Sequence, residues 1–186
     1  QEFDIGKDLL PRLVGAKEPF YGINIPFQWL DIGTTRDYFK TISMVIEGKV
    51  NGVNPYGKEI KPGVWVGINT SIDFAKVEIV PPVYIGGSVK IENGVKIIGP
   101  TMIGAGCIVE TGAYIEKSII MDYTKVSGIA HLTEKIVAGK YLINPFGISL
   151  DIEETDVGWI VDDARKEAEG LSEEQRAIIE LISSTR

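Results

Sequence analysis

One spacing dominates the middle of this chain: an aliphatic residue recurs at almost every sixth position. Neither an α-helix nor a single extended strand repeats with a period of six. A six-residue period is typical of a parallel β-helix, in which the chain coils around one apolar axis. One extra residue near Lys76 is expected to bulge at a corner. The predicted inward-facing anchors are Ile60, Val66, Ile72, Ile79, Ile85, Ile91, Ile97, Ile103, Val109, Ile115 and Met121.

Each six-residue unit repeats the same internal order. Two positions before an anchor stands another apolar or small residue, such as Val83 or Cys107, and alternation along a strand directs both toward the axis. Three positions after an anchor come residues that favour turns, such as Gly94 and Pro100. Three sides complete one coil, so the anchors predict a mainly β fold of nearly four coils. Cys107 is expected to be a buried structural thiol.

Residues 1–47 do not follow the repeat. Residues 8–14 are apolar-rich and predict a short helix, and residues 20–25 and 27–32 read as two strands. A further helix is expected to begin at Thr34, a favourable N-cap. Two strands and two helices are too few for an independent α/β domain, so this segment is interpreted as the end of a larger one. The chain also lacks an initiator methionine, and we expect it to be a fragment or a processed form.

The remaining segments follow from composition. Residues 48–59 are rich in Gly, Asn and Pro and predict a linker, and residues 60–147 predict the β-helix. The six-residue register decays over residues 125–147, which we interpret as one distorted last coil. Residues 148–186 predict a helical extension of two amphipathic helices, which would cover the open end of the β-helix or a neighbouring subunit. The first helix would follow Asp156 and the second a capping box from Ser172, with apolar faces formed by Ile160, Ala164 and Ala168 and by Ala177, Ile178, Leu181 and Ile182.

Composition excludes several classes of protein. The chain is acidic, with net charge −7 and pI near 4.8, and no basic patch is interleaved with aromatic residues, so no nucleic-acid partner is expected. A single cysteine rules out an internal disulfide framework. No segment approaches the roughly 18 apolar residues of a membrane span, so no membrane association is expected. A cytoplasmic protein is the prediction.

One short stretch has the residues of a chemical site: Trp29-Leu30-Asp31-Ile32-Gly33-Thr34. Asp31 ends a predicted strand, Gly33 permits a tight turn and Thr34 caps the next helix. A carboxylate in this place suits Mg²⁺, which takes one or two carboxylates together with substrate phosphates. The alternative is that Asp31 only stabilises the turn.

This stretch, followed by Arg36-Asp37-Tyr38-Phe39, resembles the W-x-D-x-G-x-x-x-[DE]-[YF] signature that ends the catalytic domain of sugar-1-phosphate nucleotidylyltransferases, also called NDP-sugar pyrophosphorylases. Residues 3–11 and 61–67 are similar to two further segments of that family. The resemblance implies a left-handed coil and an enzyme that converts a nucleoside triphosphate and a sugar 1-phosphate into an NDP-sugar and pyrophosphate. It also implies Mg²⁺ as cofactor, with Asp31 as a metal ligand.

The family's Gly-rich phosphate loop, its other metal-binding aspartate and its sugar-binding residues are not found and are expected upstream of residue 1. We therefore expect the chain alone to be inactive and to carry a β-helix used for assembly or regulation, as a homo-oligomer. The residues of the motif, Trp29 to Thr34, are most similar to those of mannose-1-phosphate guanylyltransferases.

Two other functions stay open. His131-Leu132-Thr133 resembles the motif of hexapeptide-repeat acyltransferases, in which a histidine activates the acyl acceptor. Against this, no regular coils are expected to resume between Gly128 and Gly139. The second alternative is a non-enzymatic oligomerisation module, because flat β-helix sides suit symmetric association.

Overall fold

A computed structural model describes residues 3–155 and 159–166 of this chain, and its main feature is a parallel β-helix with three sheets. Sheet A contains β1 (Lys58–Lys61), β2 (Val64–Val66), β5 (Val83–Ile85), β8 (Thr101–Ile103), β11 (Ile119–Ile120), β14 (Ile136–Ala138), β15 (Tyr141–Ile143) and β16 (Ser149–Asp151). Sheet B contains β3 (Ser71–Ile72), β6 (Lys90–Ile91), β9 (Ile108–Val109), β12 (Thr124–Val126) and β17 (Val161–Asp163). Sheet C contains β4 (Glu78–Val80), β7 (Lys96–Ile98), β10 (Tyr114–Glu116) and β13 (His131–Thr133).

Stacked aliphatic side chains fill the space between the three sheets. Ile85 pairs with Ile103 in sheet A and Ile97 pairs with Ile115 in sheet C, each with a solvent exposure of 0%. The predicted β-helix and its inward anchors from Ile85 to Ile115 are therefore confirmed. Parallel pairing between coils satisfies the hydrogen-bonding groups of the main chain. The same paired strands bury their inward-facing side chains.

The bulge predicted near Lys76 is also confirmed. The N–H of Lys76 donates to the carbonyl of Asp73 at 2.9 Å, closing a turn within the seven-residue side of the first coil. The following anchor still pairs correctly, Ile79 with Ile97. The extra residue is accommodated at the corner and leaves the rungs unshifted.

The repeat does slip at its other end, and Met121 is wrongly predicted as an anchor. Ile120 pairs with Ile103 and is fully buried, whereas Met121 is only partly buried. Val137 then pairs with Ile120. The side that runs from sheet C to sheet A is thus one residue shorter in the last two coils.

The corners between sheets C and A explain the slip. In the first two coils this corner contains a cis peptide bond, Pro81–Pro82 or Gly99–Pro100. In the last two coils it is one residue shorter and contains a residue with positive φ, Lys117 at 44° or Glu134 at 51°. The coils remain regular while the six-residue spacing is broken.

Residues 125–147 therefore do not form the distorted coil that was predicted. Strands β12, β13 and β14 are regular rungs, each paired in parallel with the strand of the preceding coil. Their anchors Val126, Leu132 and Val137 are at most 3% exposed. The apparent irregularity came from the five-residue side.

Ile60 is not an anchor either. Strand β1 runs antiparallel to β2, with Glu59 opposite Trp65, so it forms a hairpin at the edge of sheet A and not a coil. Ile60 is 38% exposed. Its six-residue distance from Val66 is coincidental, and β1 begins at Lys58, within the stretch predicted as a linker.

The predicted helices in the first 47 residues are present. A π-helical turn, Ile5–Leu9, leads into α1 (Leu10–Gly15), and α2 spans Thr35–Ile46. The two strands predicted at residues 20–25 and 27–32 are not formed, because no strand in the described part of the chain pairs with them.

The last coil is covered by the chain that follows it. Strands β15 and β16 add to sheet A in antiparallel order, and β17 pairs antiparallel with β12. Ile152 and Val161 join the core at 5% and 2% exposure. The helix predicted after Asp156 is therefore wrong at Val161–Asp163, where strand pairing and burial of Val161 outweigh the helical pattern. The second predicted helix, from Ser172, lies outside the described residues.

A column of glycines marks the closest approach between coils. Gly67, Gly86 and Gly104 occupy one corner in successive coils, and a Cβ on Gly86 would lie 2.7 Å from the amide nitrogen of Ala105. The blocking atoms belong to backbone, so they cannot rotate away.

We expect Gly86→Ala to lower the free energy of unfolding by about 2 kcal/mol or more, because the coils must separate to admit the methyl group. Gly22→Ala is the matched control, since no atom lies within 4 Å of a Cβ there. Urea unfolding of both variants measures the effect, and equal midpoints would contradict this explanation.

Cys107 is fully buried, which confirms the structural thiol predicted from sequence, and its Sγ lies 3.1 Å from the carbonyl oxygen of Met121. Burial raises the pKa of the thiol from 9.0 to about 11. At pH 8 the thiolate fraction is therefore about 100-fold below that of an unfolded chain.

Labelling of Cys107 with a maleimide at pH 8 should accordingly be at least about 100-fold slower in the native chain than in urea. The raised pKa also means that the thiol's contribution to stability is full below pH 9 and is lost as the pH rises through about 11. Equal native and denatured labelling rates would show that the thiol is accessible.

Candidate active-site turn and its support on the β-helix

The turn that carries Asp31 leads directly into α2. Thr34 has extended backbone dihedrals, and its Oγ1 accepts a hydrogen bond from the N–H of Asp37 at 3.1 Å while donating to Asp37 Oδ2 at 2.6 Å. The predicted N-cap is therefore confirmed. The Asp37 carboxylate also lies in the first turn of α2, where the helix dipole favours negative charge.

Asp31 is exposed to solvent. Its two carboxylate oxygens would lie 3.8 Å from a Cβ on Gly33, so the carboxylate sits close against the turn. Within residues 3–155 and 159–166, no group of three or more His, Cys, Asp or Glu side chains could hold a metal ion. Proteins usually bind Mg²⁺ through only one or two carboxylates when substrate phosphates supply further ligands. One accessible carboxylate is consistent with such a site. The metal role of Asp31 stays a prediction.

Helix α2 holds this turn against the outer face of sheet A. The Tyr38 hydroxyl donates to Met121 Sδ at 3.6 Å, and partial burial, with a smaller effect of the nearby Asp122, raises the pKa of Tyr38. Asp122 is itself fixed, because its Oδ1 accepts from the N–H of Ala105 at 2.7 Å. The β-helix thus supports α2 one turn after the helix begins.

Further along α2, a cavity of about 200 Å³ lies between the helix and sheet A. It is lined by Ile42, Val45 and Ile46 on one side and by Tyr84 and Met102 on the other.

The six-residue pattern had assigned Met121 to the core and so missed its contact with Tyr38. The five-residue spacing from Ile115 to Ile120 was the available signal.

A larger cavity of about 780 Å³ opens between the start of α2 and the last strands of sheet A. We call it the sheet A groove. Its lining is mainly apolar, with Arg36 as a charged side chain at the start of α2. The residues that define it are Ile32, Arg36, Tyr38, Ile136, Ile143 and Phe146.

His131 lies away from this turn, on the outer face of sheet C. Its exposed ring packs edge-on against Tyr114, with centroids 4.2 Å apart, and the Tyr114 hydroxyl donates to Glu116 at 2.9 Å. Among the described residues, no hydrogen bond to the His131 ring orients it as a base. The objection that regular coils end near Gly128 is wrong, since β13 is a regular rung. Catalysis by His131 stays an untested alternative.

Three glutamates that each follow an anchor, Glu92, Glu110 and Glu116, form an outward rim. Glu92 and Glu110 each pair with a lysine at 3.0 Å, Lys90 and Lys125 respectively. The hydrogen bond from Lys90 lowers the pKa of Glu92. Such partly exposed pairs add little stability.

We expect Thr34→Ala to lower the opening free energy of α2 by about 1 kcal/mol, because the N–H of Asp37 loses its acceptor. Thr35→Ala is the control, since it removes the same atoms one residue later without removing the cap. Amide hydrogen exchange in residues 36–40 measures the local opening. Similar exchange in the two variants would show that the cap contributes nothing.

Comparison with known proteins agrees with the motif and the fold. The family described as the GMPPB C-terminal domain matches residues 79–151. A UTP–glucose-1-phosphate uridylyltransferase from Synechocystis sp. is 40% identical over 185 residues, which is 98% of this chain and 48% of that protein. A glucose-1-phosphate adenylyltransferase from Desulfitobacterium hafniense is 26% identical over 150 residues, covering 76% of this chain and 35% of that protein.

The chain spans about half the length of the uridylyltransferase and about a third of the adenylyltransferase. The alignment with the uridylyltransferase covers nearly the whole chain, so it includes both the Asp31 turn and the β-helix. Within residues 3–155 and 159–166, every helix is too short or too polar to span a bilayer. By its motif, its coil and these matches, the chain belongs to the sugar-1-phosphate nucleotidylyltransferase family.

Proposed function

We propose that this chain is the β-helical part of an enzyme that converts a nucleoside triphosphate and a sugar 1-phosphate into an NDP-sugar and pyrophosphate. The observation that carries the proposal is the Asp31 turn, which is capped by Thr34 and supported on the β-helix through Tyr38 and Met121. The relative that matches almost the whole chain is named as a uridylyltransferase.

Exposed apolar side chains support the view that the activity belongs to a longer protein. Tyr21, Ile23, Ile25, Phe27 and Trp29 alternate with small or polar residues and are between 56% and 87% exposed. This is the pattern of a strand with one buried face. Further polypeptide would cover that face and complete the sheet.

In that longer protein, Asp31 would help to hold Mg²⁺. The bound ion would offset the charge that develops on the phosphates during transfer. The part of this chain is to place the carboxylate: Gly33 leaves room beside it, Thr34 fixes the first turn of α2, and sheet A supports the helix. Catalysis of this kind depends on positioning and on charge stabilisation.

The substrates that we propose are UTP and glucose 1-phosphate, by analogy with the 40% identical relative. One alternative is ATP with glucose 1-phosphate. The other is GTP with mannose 1-phosphate, which the residues of the motif favour. Homo-oligomerisation through the β-helix, a cytoplasmic location and inactivity of the chain alone remain predictions.

The longer protein should release pyrophosphate fastest with UTP and glucose 1-phosphate in a panel of UTP, ATP, GTP and dTTP against glucose and mannose 1-phosphates. Asp31→Asn should lower kcat/KM by about 100-fold, because the carboxylate that would help to hold Mg²⁺ is lost. It should also weaken Mg²⁺ binding measured by calorimetry in the presence of UTP.

Asp73→Asn serves as the control, because Asp73 is an exposed carboxylate on a β-helix turn. Full activity and unchanged Mg²⁺ affinity in Asp31→Asn would exclude the metal role. Pyrophosphate release by the 186-residue chain alone would contradict the proposal that it is one part of the enzyme.

A further inference from the structure

We propose that Gln28 is a positioning residue for the Asp31 carboxylate. Its side-chain amide holds the segment that carries Asp31 against the loop that follows α2. The effect on catalysis rests on the proposed function, because it requires Asp31 to help hold Mg²⁺. The contact itself is measurable in this chain alone.

The Gln28 side chain makes two hydrogen bonds to main-chain groups that lie 21 and 23 residues later. Its Nε2 donates to the carbonyl oxygen of Lys49 at 2.9 Å, and its Oε1 accepts from the N–H of Asn51 at 2.8 Å. Among residues 3–155 and 159–166, this Oε1 is the one acceptor for the Asn51 N–H. Both ends of the amide therefore bind backbone, which is the role of a residue that fixes geometry.

The loop that Gln28 binds is itself fixed to the C-terminal end of α2. The N–H of Gly48 donates to the carbonyl of Val45 at 3.0 Å, and the N–H of Lys49 donates to the carbonyl of Met44 at 2.8 Å. Gly48 has a φ of 69°, which allows the chain to reverse direction after the last helical turn. Gln28 is thus held, through this loop, at the far end of α2 from Asp31.

The other end of the same segment is fixed at the start of α2, where the Oγ1 of Thr34 caps the helix. Helix α2 has 12 residues and is about 18 Å long. The chain from Gln28 to Thr34 can reach at most about 21 Å when fully extended. The segment therefore runs along α2 with little spare length, and Asp31 lies at its middle.

Alternation along an extended segment puts Gln28 and Asp31 on opposite sides. Phe27 and Trp29, on the side of Asp31, are 71% and 74% exposed. The Gln28 amide thus binds the segment from behind and leaves the Asp31 carboxylate on the open side. Because the amide is neutral, its removal changes the position of Asp31 without changing the charge of the site.

With both ends fixed, the segment limits the positions that Asp31 can take. Loss of the Gln28 hydrogen bonds leaves the Thr34 cap as the remaining contact at one end, so the carboxylate gains freedom to move away from the metal. A misplacement of about 1 Å can lower a catalytic rate by about 100-fold. A contact three residues from the carboxylate is close enough to have such an effect.

Amide hydrogen exchange in the 186-residue chain tests the contact. Gln28→Met keeps the length of the side chain and removes both hydrogen bonds. We expect the Asn51 amide to exchange about five- to tenfold faster, while the β-sheet circular dichroism signal persists. Asn24→Ala is the matched control, because Asn24 is an exposed amide of the same segment with no hydrogen bond among the described residues. Unchanged exchange of Asn51 in Gln28→Met would overturn the proposal.

A double-mutant cycle in the longer protein tests the consequence for catalysis. Gln28→Met should lower kcat by about tenfold and raise several-fold the Mg²⁺ concentration that gives half the maximal rate, with the KM for glucose 1-phosphate unchanged. In an Asp31→Asn background the same change should lower kcat by less than about twofold, because the group that Gln28 positions is then absent. Asn93→Ala, which removes an exposed amide from a β-helix turn, should leave kcat unchanged.

Two kinetic results would overturn the proposal while leaving the proposed function in place. Equal losses from Gln28→Met in both backgrounds would show that Gln28 acts independently of Asp31, and full activity of Gln28→Met would show that the contact does not position the carboxylate. Full activity of Asp31→Asn would instead overturn the metal role in the proposed function, and with it the catalytic role of Gln28. The exchange of the Asn51 amide would be unaffected by that result, so the two failures are distinguished.

Discussion

Parallel pairing between successive coils is the interaction on which the structure depends. The strands are only two to four residues long, too short to be stable alone. Each is stabilised because the same main-chain groups that pair with the next coil also place one aliphatic side chain on another, as Ile85, Ile103, Ile120 and Val137 do. No coil can be removed without exposing the side chains of its neighbours, so the stack is stable only as a whole.

This constraint fixes the rungs and leaves the corners free. A side of the prism can contain seven residues, as from Ile72 to Ile79, or five, as from Ile115 to Ile120, provided that the inward positions still coincide. A change in corner length nevertheless alters which residues point outward. The shortened corner directs the Met121 side chain out of the core. On the outer face its sulfur accepts a hydrogen bond from the Tyr38 hydroxyl.

The consequence reaches the candidate active site. Tyr38 belongs to the second turn of α2, and α2 starts immediately after the turn that carries Asp31. The outer face of sheet A is therefore a support for the one stretch of this chain that resembles catalytic machinery. The same face also bounds the groove beside Arg36, so the groove and the support of the turn share one surface.

Local patterns in the sequence determined the inward side chains, the N-cap at Thr34 and the burial of Cys107, because each depends on residues close together in the chain. The resemblance around Asp31 likewise rested on a short motif. Tertiary structure decided the strand at Val161–Asp163, and strand pairing selected Ile120 over Met121 as the inward residue. These depend on pairing between residues far apart, where burial and main-chain hydrogen bonding outweigh the preference of any short segment.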